Sequence, residues 1–216
     1  MSRIGLFELA AKKKSLHDSQ QETARVKRLR RQFAQKIVPV AQSIAPHLKF
    51  IDESGANLGF TPLYGRAAPG HRVVEATPGI SGKHYTMIAA LGLSGIEAPW
   101  FIEGAMHTNA FETYVEYVLL PAVQPGDWVI CDNLSAHKSE ATRLLIEACG
   151  AHLVFLPPYS PDWNPIELCW SKVKTALRRA KARTVDALID AVANALRSIS
   201  LSDIQAWFAH CGYSIP

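Results

Sequence analysis

Two aspartates close apolar runs: Asp52 follows Phe50-Ile51, and Asp132 follows Val129-Ile130-Cys131. Such runs read as strands, and carboxylates at the carboxyl ends of neighbouring strands in an open α/β sheet point into the crevice where these folds bind ligands. A third acid, Glu167, opens a helical stretch after 34 intervening residues. That interval holds a helix, a strand and a proline-bounded loop, a path that can return the third carboxylate to the first two. Three hard oxygen donors without His or Cys suit Mg²⁺ or Mn²⁺ rather than zinc. Two such ions, about 3.5 to 4 Å apart, can activate a water or a 3′-hydroxyl and stabilise the leaving oxygen of an in-line displacement at phosphorus. The chemistry would be phosphodiester cleavage and joining.

Each acid also has a structural reading. Asp at a strand end is commonly a turn or cap residue. Asn164, Pro165 and Glu167 fit the N-cap, N1 and N3 positions of a capping box, in which Glu167 would reach back to the cap amide. The conjunction of two strand-end aspartates with a helix-opening glutamate favours chemistry. Around the three acids, Asn133 either orients Asp132 or a metal-bound water, or is a turn residue. His137 and Lys138 either contact the scissile phosphate or leaving group, or sit on a solvated loop. Glu53 neighbours Asp52 but should point to the opposite side of the strand. Tyr159 and Trp163 could stack on a splayed base, though pinning their loop to the core is the stronger reading.

The elements that must position these residues follow from periodicity. A helix is expected from Gln20 to Ala45, with Pro39 and Pro46 bracketing its decay, and strands over Leu48 to Asp52, His84 to Leu93 and Ala98 to Ile102. A helix over Thr108 to Val123, a buried strand over Trp128 to Asp132, a helix over Ser139 to Gly150 and a strand over His152 to Leu156 come next. Three helices, Asn164 to Ala182, Thr184 to Ser198 and Ser202 to His210, complete the chain. This order predicts a three-layer α/β fold with antiparallel strands early and βαβ crossovers later. In the third-acid helix, Ile166, Trp170, Val173 and Leu177 form a core-facing stripe, and Lys174 and Arg178 extend a polar stripe from Glu167 that suits backbone phosphate.

Composition bounds the rest. The 216 residues, 48% hydrophobic and 19% charged, suffice for one domain with a sizeable core. No run approaches 18 uninterrupted apolar residues, and the first residues lack the order of a secretory signal, so a cytosolic protein with no membrane partner is expected. The four cysteines, with no C-x-x-C, read as reduced thiols. Ten of the 23 Lys and Arg fall within residues 1–36 against three acids, although the net charge of the chain is only +4. A basic arm on a mildly acidic body suits a polyanion. Arg28 and Arg31, with Arg25, Lys27 and Arg30, are its candidate DNA contacts.

Four motifs in order, IDESG at 51–55, LYGRAAPGHR at 63–72, CDNLSAHK at 131–138 and LPPYSPDWNPIE at 156–167, resemble the DDE catalytic domain of bacterial insertion-sequence 630 transposases, in the mariner-like superfamily. The resemblance implies an RNase H-like three-layer fold with a five-stranded mixed sheet flanked by helices. It implies two Mg²⁺ ions, replaceable by Mn²⁺, on Asp52, Asp132 and Glu167 as both catalytic and metal residues. It further implies cutting at transposon ends, joining of the 3′-hydroxyl to TA-containing target DNA, a homodimer on the ends, and action at the nucleoid of the bacterial cytoplasm. Residues 1–46 are then expected to be a basic helical linker, the tail of a DNA-binding region, and residues 47–216 the catalytic domain. Since the family usually carries paired helix-turn-helix modules ahead of that domain, an upstream-frame DNA-binding polypeptide is an expected partner. A non-catalytic DNA-binding remnant and a structure-selective nuclease on the same fold are the competing readings.

Overall fold

The computed structural model describes residues 19–77 and 83–213. Its centre is one five-stranded sheet built from β1 (Leu48–Ala56), β2 (Tyr85–Gly92), β3 (Gly95–Glu103), β4 (Trp128–Cys131) and β5 (His152–Phe155), in the order β3-β2-β1-β4-β5. The first three strands form an antiparallel meander, while β4 and β5 run parallel to β1 after helical crossovers. This is the expected mixed sheet. It is covered on both faces, so β2 is buried along its whole length.

Strand alternation divides the core into two layers. Phe50, Met87, Ala89, Leu91 and Ile130 face one side, where α1 (Ala24–Ile44), α4 (Pro165–Ala180), α5 (Val185–Arg197) and α6 (Leu201–His210) supply Phe33, Ile37, Trp170, Val173, Leu188, Phe208 and the following Tyr213. Ile51, Ile88, Ala90, Val129 and Cys131 face the other side, against Phe111 and Tyr114 of α2 (Thr108–Tyr114) and Ile146 of α3 (Glu140–Ala148). The stripe Ile166, Trp170, Val173 and Leu177 is buried as its spacing predicts. Among the described residues no helix is long and apolar enough to cross a membrane, and all four cysteines are free.

Three local outcomes differ from expectation. The first helix runs through Pro39 to Ile44. A mid-helix proline removes a hydrogen bond and costs roughly 3 kcal/mol, which burial of Ile37 and Ala41 on either side offsets. The helix expected to Val123 is α-helical only to Tyr114, then makes a π-turn over Val115–Leu119 and a 3₁₀ turn over Leu120–Ala122. Pro121 has no amide to continue an α ladder. β1 extends to Ala56 rather than stopping at Asp52, because residues 53–56 keep pairing with β2. On the linker side of residue 46, α1 places Phe33, Ile37 and Ala41 in the same core cluster as the sheet.

Phe50 is fully buried and packs edge-on to Phe208 at 5.4 Å and against Tyr213 at 5.0 Å. It ties the central strand to the last helix and the residues after it. Phe50→Ala should therefore cost about 3–5 kcal/mol, measurable as a lowered urea midpoint with little change in slope.

Candidate active site

The register of β1 and β4 prepares the site. Their parallel pairing ends at Ile51 opposite Cys131. The next residue on each chain is an acid: Asp52 continues along β1 while Asp132 leaves the sheet, so a crevice opens between them at the carboxyl end of β4. Alternation sends Asp52 to the side of Phe50, the face that α4 covers, and Glu53 to the side of Ile51. Glu167 enters from the first turn of α4.

The three acids lie in one another's electrostatic field. Asp52 is 7% exposed, and burial, followed by the charges of Glu167, Glu53 and Asp132, holds its carboxyl well above the usual carboxylate range. Its Oδ2 is buried without a hydrogen-bond partner. Glu167 is also raised, chiefly by desolvation and in part by Asp132, with Lys174 opposing the shift. The capping box, the alternative reading of Glu167, is not formed. Asn164 makes no side-chain cap and its Oδ1 has no partner, which leaves the Glu167 carboxylate uncommitted to the helix end. Among the described residues no three His, Cys, Asp or Glu side chains stand gathered as a ready-made metal cage. The donor set and the orphaned Asp52 oxygen fit a hard divalent ion, and Asp52, Asp132 and Glu167 are the residues that could hold it.

His137 is where the sequence reading requires correction. It reads as a phosphate contact or a solvated loop residue, yet it is 1% exposed and faces inward. Its Nε2 lies 2.7 Å from Oε1 of Glu53, and its Nδ1 lies 2.7 Å from Oδ1 of Asp132. The second contact is off the line of a directed hydrogen bond, so it is an ion pair first. The ring also packs on Phe111 at 4.2 Å between centroids. Burial works against the imidazolium, but the contacts with Asp132 and Glu53 outweigh it and raise the pKa to about 9. Glu53 points away from Asp52 as alternation requires; its link to His137 depends on a contact 84 residues distant that periodicity cannot show.

A cleft of about 730 Å³ opens onto Asp132 and Glu167, and Asn133, Lys138 and Tyr159 line it with Thr23 and Arg25 from the start of α1. Lys138 is exposed, its Nζ 5.8 Å from the Phe155 ring. Lys174 and Arg178 line a smaller hollow beyond Glu167, where Arg178 packs over Phe60 at 5.4 Å. Arg28 and Arg31 are exposed on α1, away from the three acids' contacts.

Arg30, grouped by sequence with the DNA-facing arginines, turns inward. Its guanidinium donates to Ser160 Oγ at 2.7 Å and to both carboxylate oxygens of Asp162 at 2.9 and 2.5 Å, and lies 4.2 Å over Trp163. Trp163 stacks in turn on Phe33 at 5.3 Å, and its carbonyl accepts from the Tyr213 hydroxyl at 2.8 Å. This bidentate, stacked clamp fixes the loop that delivers Glu167. Trp163 thus pins the loop to the core, whereas Tyr159, 39% exposed, borders the cleft.

Residues 47–189 match the family model of the DDE superfamily endonuclease. The chain is 33% identical over 99 residues to the Tc1 transposable-element transposase of Caenorhabditis elegans, a match that covers 46% of this chain and 36% of that protein. Among solved structures, the Mos1 transposase paired-end complex with left transposon end superposes with a TM-score of 0.75 at 14% identity, covering 94% of this chain and 64% of that one. The mariner Mos1 paired end complex with Mg gives 0.75 at 12% identity, covering 98% and 68%. At these identities the structural likeness is one of fold, and the fold is the RNase H-like one.

Ionised Asp52 is a net cost to the metal-free fold. Its folded pKa stands above the unfolded value, so stability declines as pH rises through the folded pKa, and the penalty is absent below the unfolded one. Asp52→Asn should stabilise the metal-free protein at neutral pH, raising Tm by about 2–4 °C for each kcal/mol of cost relieved at this length. A calorimetric scan in a chelator checks it, and an unchanged or lower Tm would count against the buried repulsion.

Proposed function

Because the chain belongs to the DDE superfamily of endonucleases, we propose that it is a transposase catalytic domain of the insertion-sequence 630 branch. It cuts phosphodiester bonds at transposon ends and joins the 3′-hydroxyl to TA-containing target DNA. The observation that supports this reading is a buried oxygen of Asp52 left without a partner, within the electrostatic reach of Asp132 and Glu167, which line one cleft. The similarity to Tc1 and Mos1 transposases supports it.

Mg²⁺ or Mn²⁺ bound as a pair supplies an activated water or 3′-hydroxyl and neutralises charge on the leaving oxygen. The protein's own part is positional. Asp52 offers a desolvated oxygen from β1, Asp132 offers one from the end of β4, and Glu167 offers a third from a helix whose preceding loop Arg30 holds. Asn133 and Lys138, on the cleft wall, hold the scissile strand against the acids. Lys174 and Arg178 continue away from Glu167 along α4 and bind backbone phosphate, with Arg28 and Arg31 on α1 as further DNA contacts. The ends are held by a homodimer, since two ends must be brought together for cut-and-paste movement.

Purified protein incubated with Mn²⁺ and a radiolabelled transposon end should produce nicked DNA, and Asp132→Asn should abolish it; equal nicking by the variant would remove Asp132 from the metal set. Charge reversal at both Lys174 and Arg178 should weaken DNA binding by a similar factor across sequences and flatten its salt dependence by about 0.9 in log–log slope for each phosphate no longer neutralised. Filter binding across a salt series measures this, and an unaltered slope would rule the pair out.

A further inference from the structure

We propose that His137 is a positioning residue for Asp132, a buried bridge that anchors the carboxylate to Glu53 on the far face of β1. This deepens the metal-dependent reading above and rests on it.

Asp132 needs such an anchor. It lies one residue beyond β4, its side chain is 32% exposed, and beside His137 it is held by an Asx-type bond from the Leu134 amide to Oδ1 at 2.9 Å. A carboxylate held so lightly samples other rotamers, and a metal would bear the entropy of ordering it. His137 removes that freedom through a rigid body. The ring sits in a 3₁₀ turn, Ser135–His137, with Phe111 against its face and Glu53 at Nε2. Glu53 is paired on its β2 side to Ile88, so the bridge ends on the central strand of the sheet.

The direction of these contacts matters as much as their presence. The Leu134 amide and the His137 ring both meet Asp132 at Oδ1, which fixes the plane of the carboxylate of this cleft-lining residue and leaves Oδ2 clear of both contacts. At 1% exposure, His137 itself does not reach substrate. The same strand therefore serves both acids: Asp52 points from one face into the crevice, and Glu53 from the opposite face holds the residue that aims Asp132. Partners that orient a metal-binding group in this way typically contribute about 10- to 100-fold in metal affinity.

The test is Mn²⁺ binding to the full chain, followed by electron paramagnetic resonance of free Mn²⁺, so that it reads metal rather than turnover. His137→Ala, folded by circular dichroism, should raise the half-saturating Mn²⁺ concentration about 10- to 100-fold, with His137→Gln recovering part of the loss. Glu53→Gln should shift it in the same direction by less, and it decides the matter if His137→Ala does not fold. Ile146→Val, a buried change in the same core layer, should lower Tm and leave Mn²⁺ binding alone. Wild-type Mn²⁺ binding by the His137 and Glu53 variants, where Asp132→Asn binds none, would overturn the bridge and spare the metal site. Wild-type binding by Asp132→Asn would overturn the metal reading and the bridge with it.

Discussion

A carboxylate buried beside two others, Asp52 next to Glu167 and Asp132, is the constraint on which the site depends. Burial is the largest contribution to the raised proton affinity of Asp52, followed by the charge of Glu167, and Asp132 adds to the shift at both Asp52 and Glu167. An arrangement of this kind is costly unless a cation is supplied, since a buried carboxylate without a partner loses hydration and gains nothing in return. The surrounding fold is therefore a frame that resists the acids' tendency to separate. Two packed core layers on the sheet supply the opposing stability.

The frame works through two features that span long stretches of chain. One is the alternation of β1, which gives adjacent acids opposite tasks. Asp52 turns toward α4, and Glu53 turns to His137, which contacts Asp132. The other is the hold of α1 on the loop before α4, where Arg30 grips Ser160 and Asp162 across 130 and 132 residues of sequence. A helix that reads by composition as a basic DNA-facing arm thus also secures the approach to Glu167. Its arginines divide by direction: Arg30 faces the core side, Arg25 borders the cleft, and Arg28 and Arg31 face solvent.

Much of the fold was legible in the order and period of apolar residues. Runs such as Trp128–Cys131 and the stripe Ile166, Trp170, Val173 and Leu177 bury where their spacing puts them, because a two-residue or near-four-residue period leaves one face to bury. Boundaries were less legible. Asp52 reads as a strand end, but pairing with β2 carries β1 four residues further, and nothing local distinguishes a strand that stops on one side from one that stops on both. The capping box at Asn164 and Glu167 was equally plausible by sequence and is unformed.

By itself, the sequence determined which residues carry charge, which stripes must be buried, and that two acids follow strand-forming runs while a third opens a helix. These are properties of spacing and side-chain type, readable one segment at a time. Tertiary structure alone decided that His137 lies between Glu53 and Asp132, that Arg30 serves a loop rather than a ligand, and that Asp52 keeps an oxygen without a partner. Each of these is a contact, or a missing one, between segments brought together only when the core closes, and the charge and burial of a side chain depend on those neighbours as much as on its own chemistry.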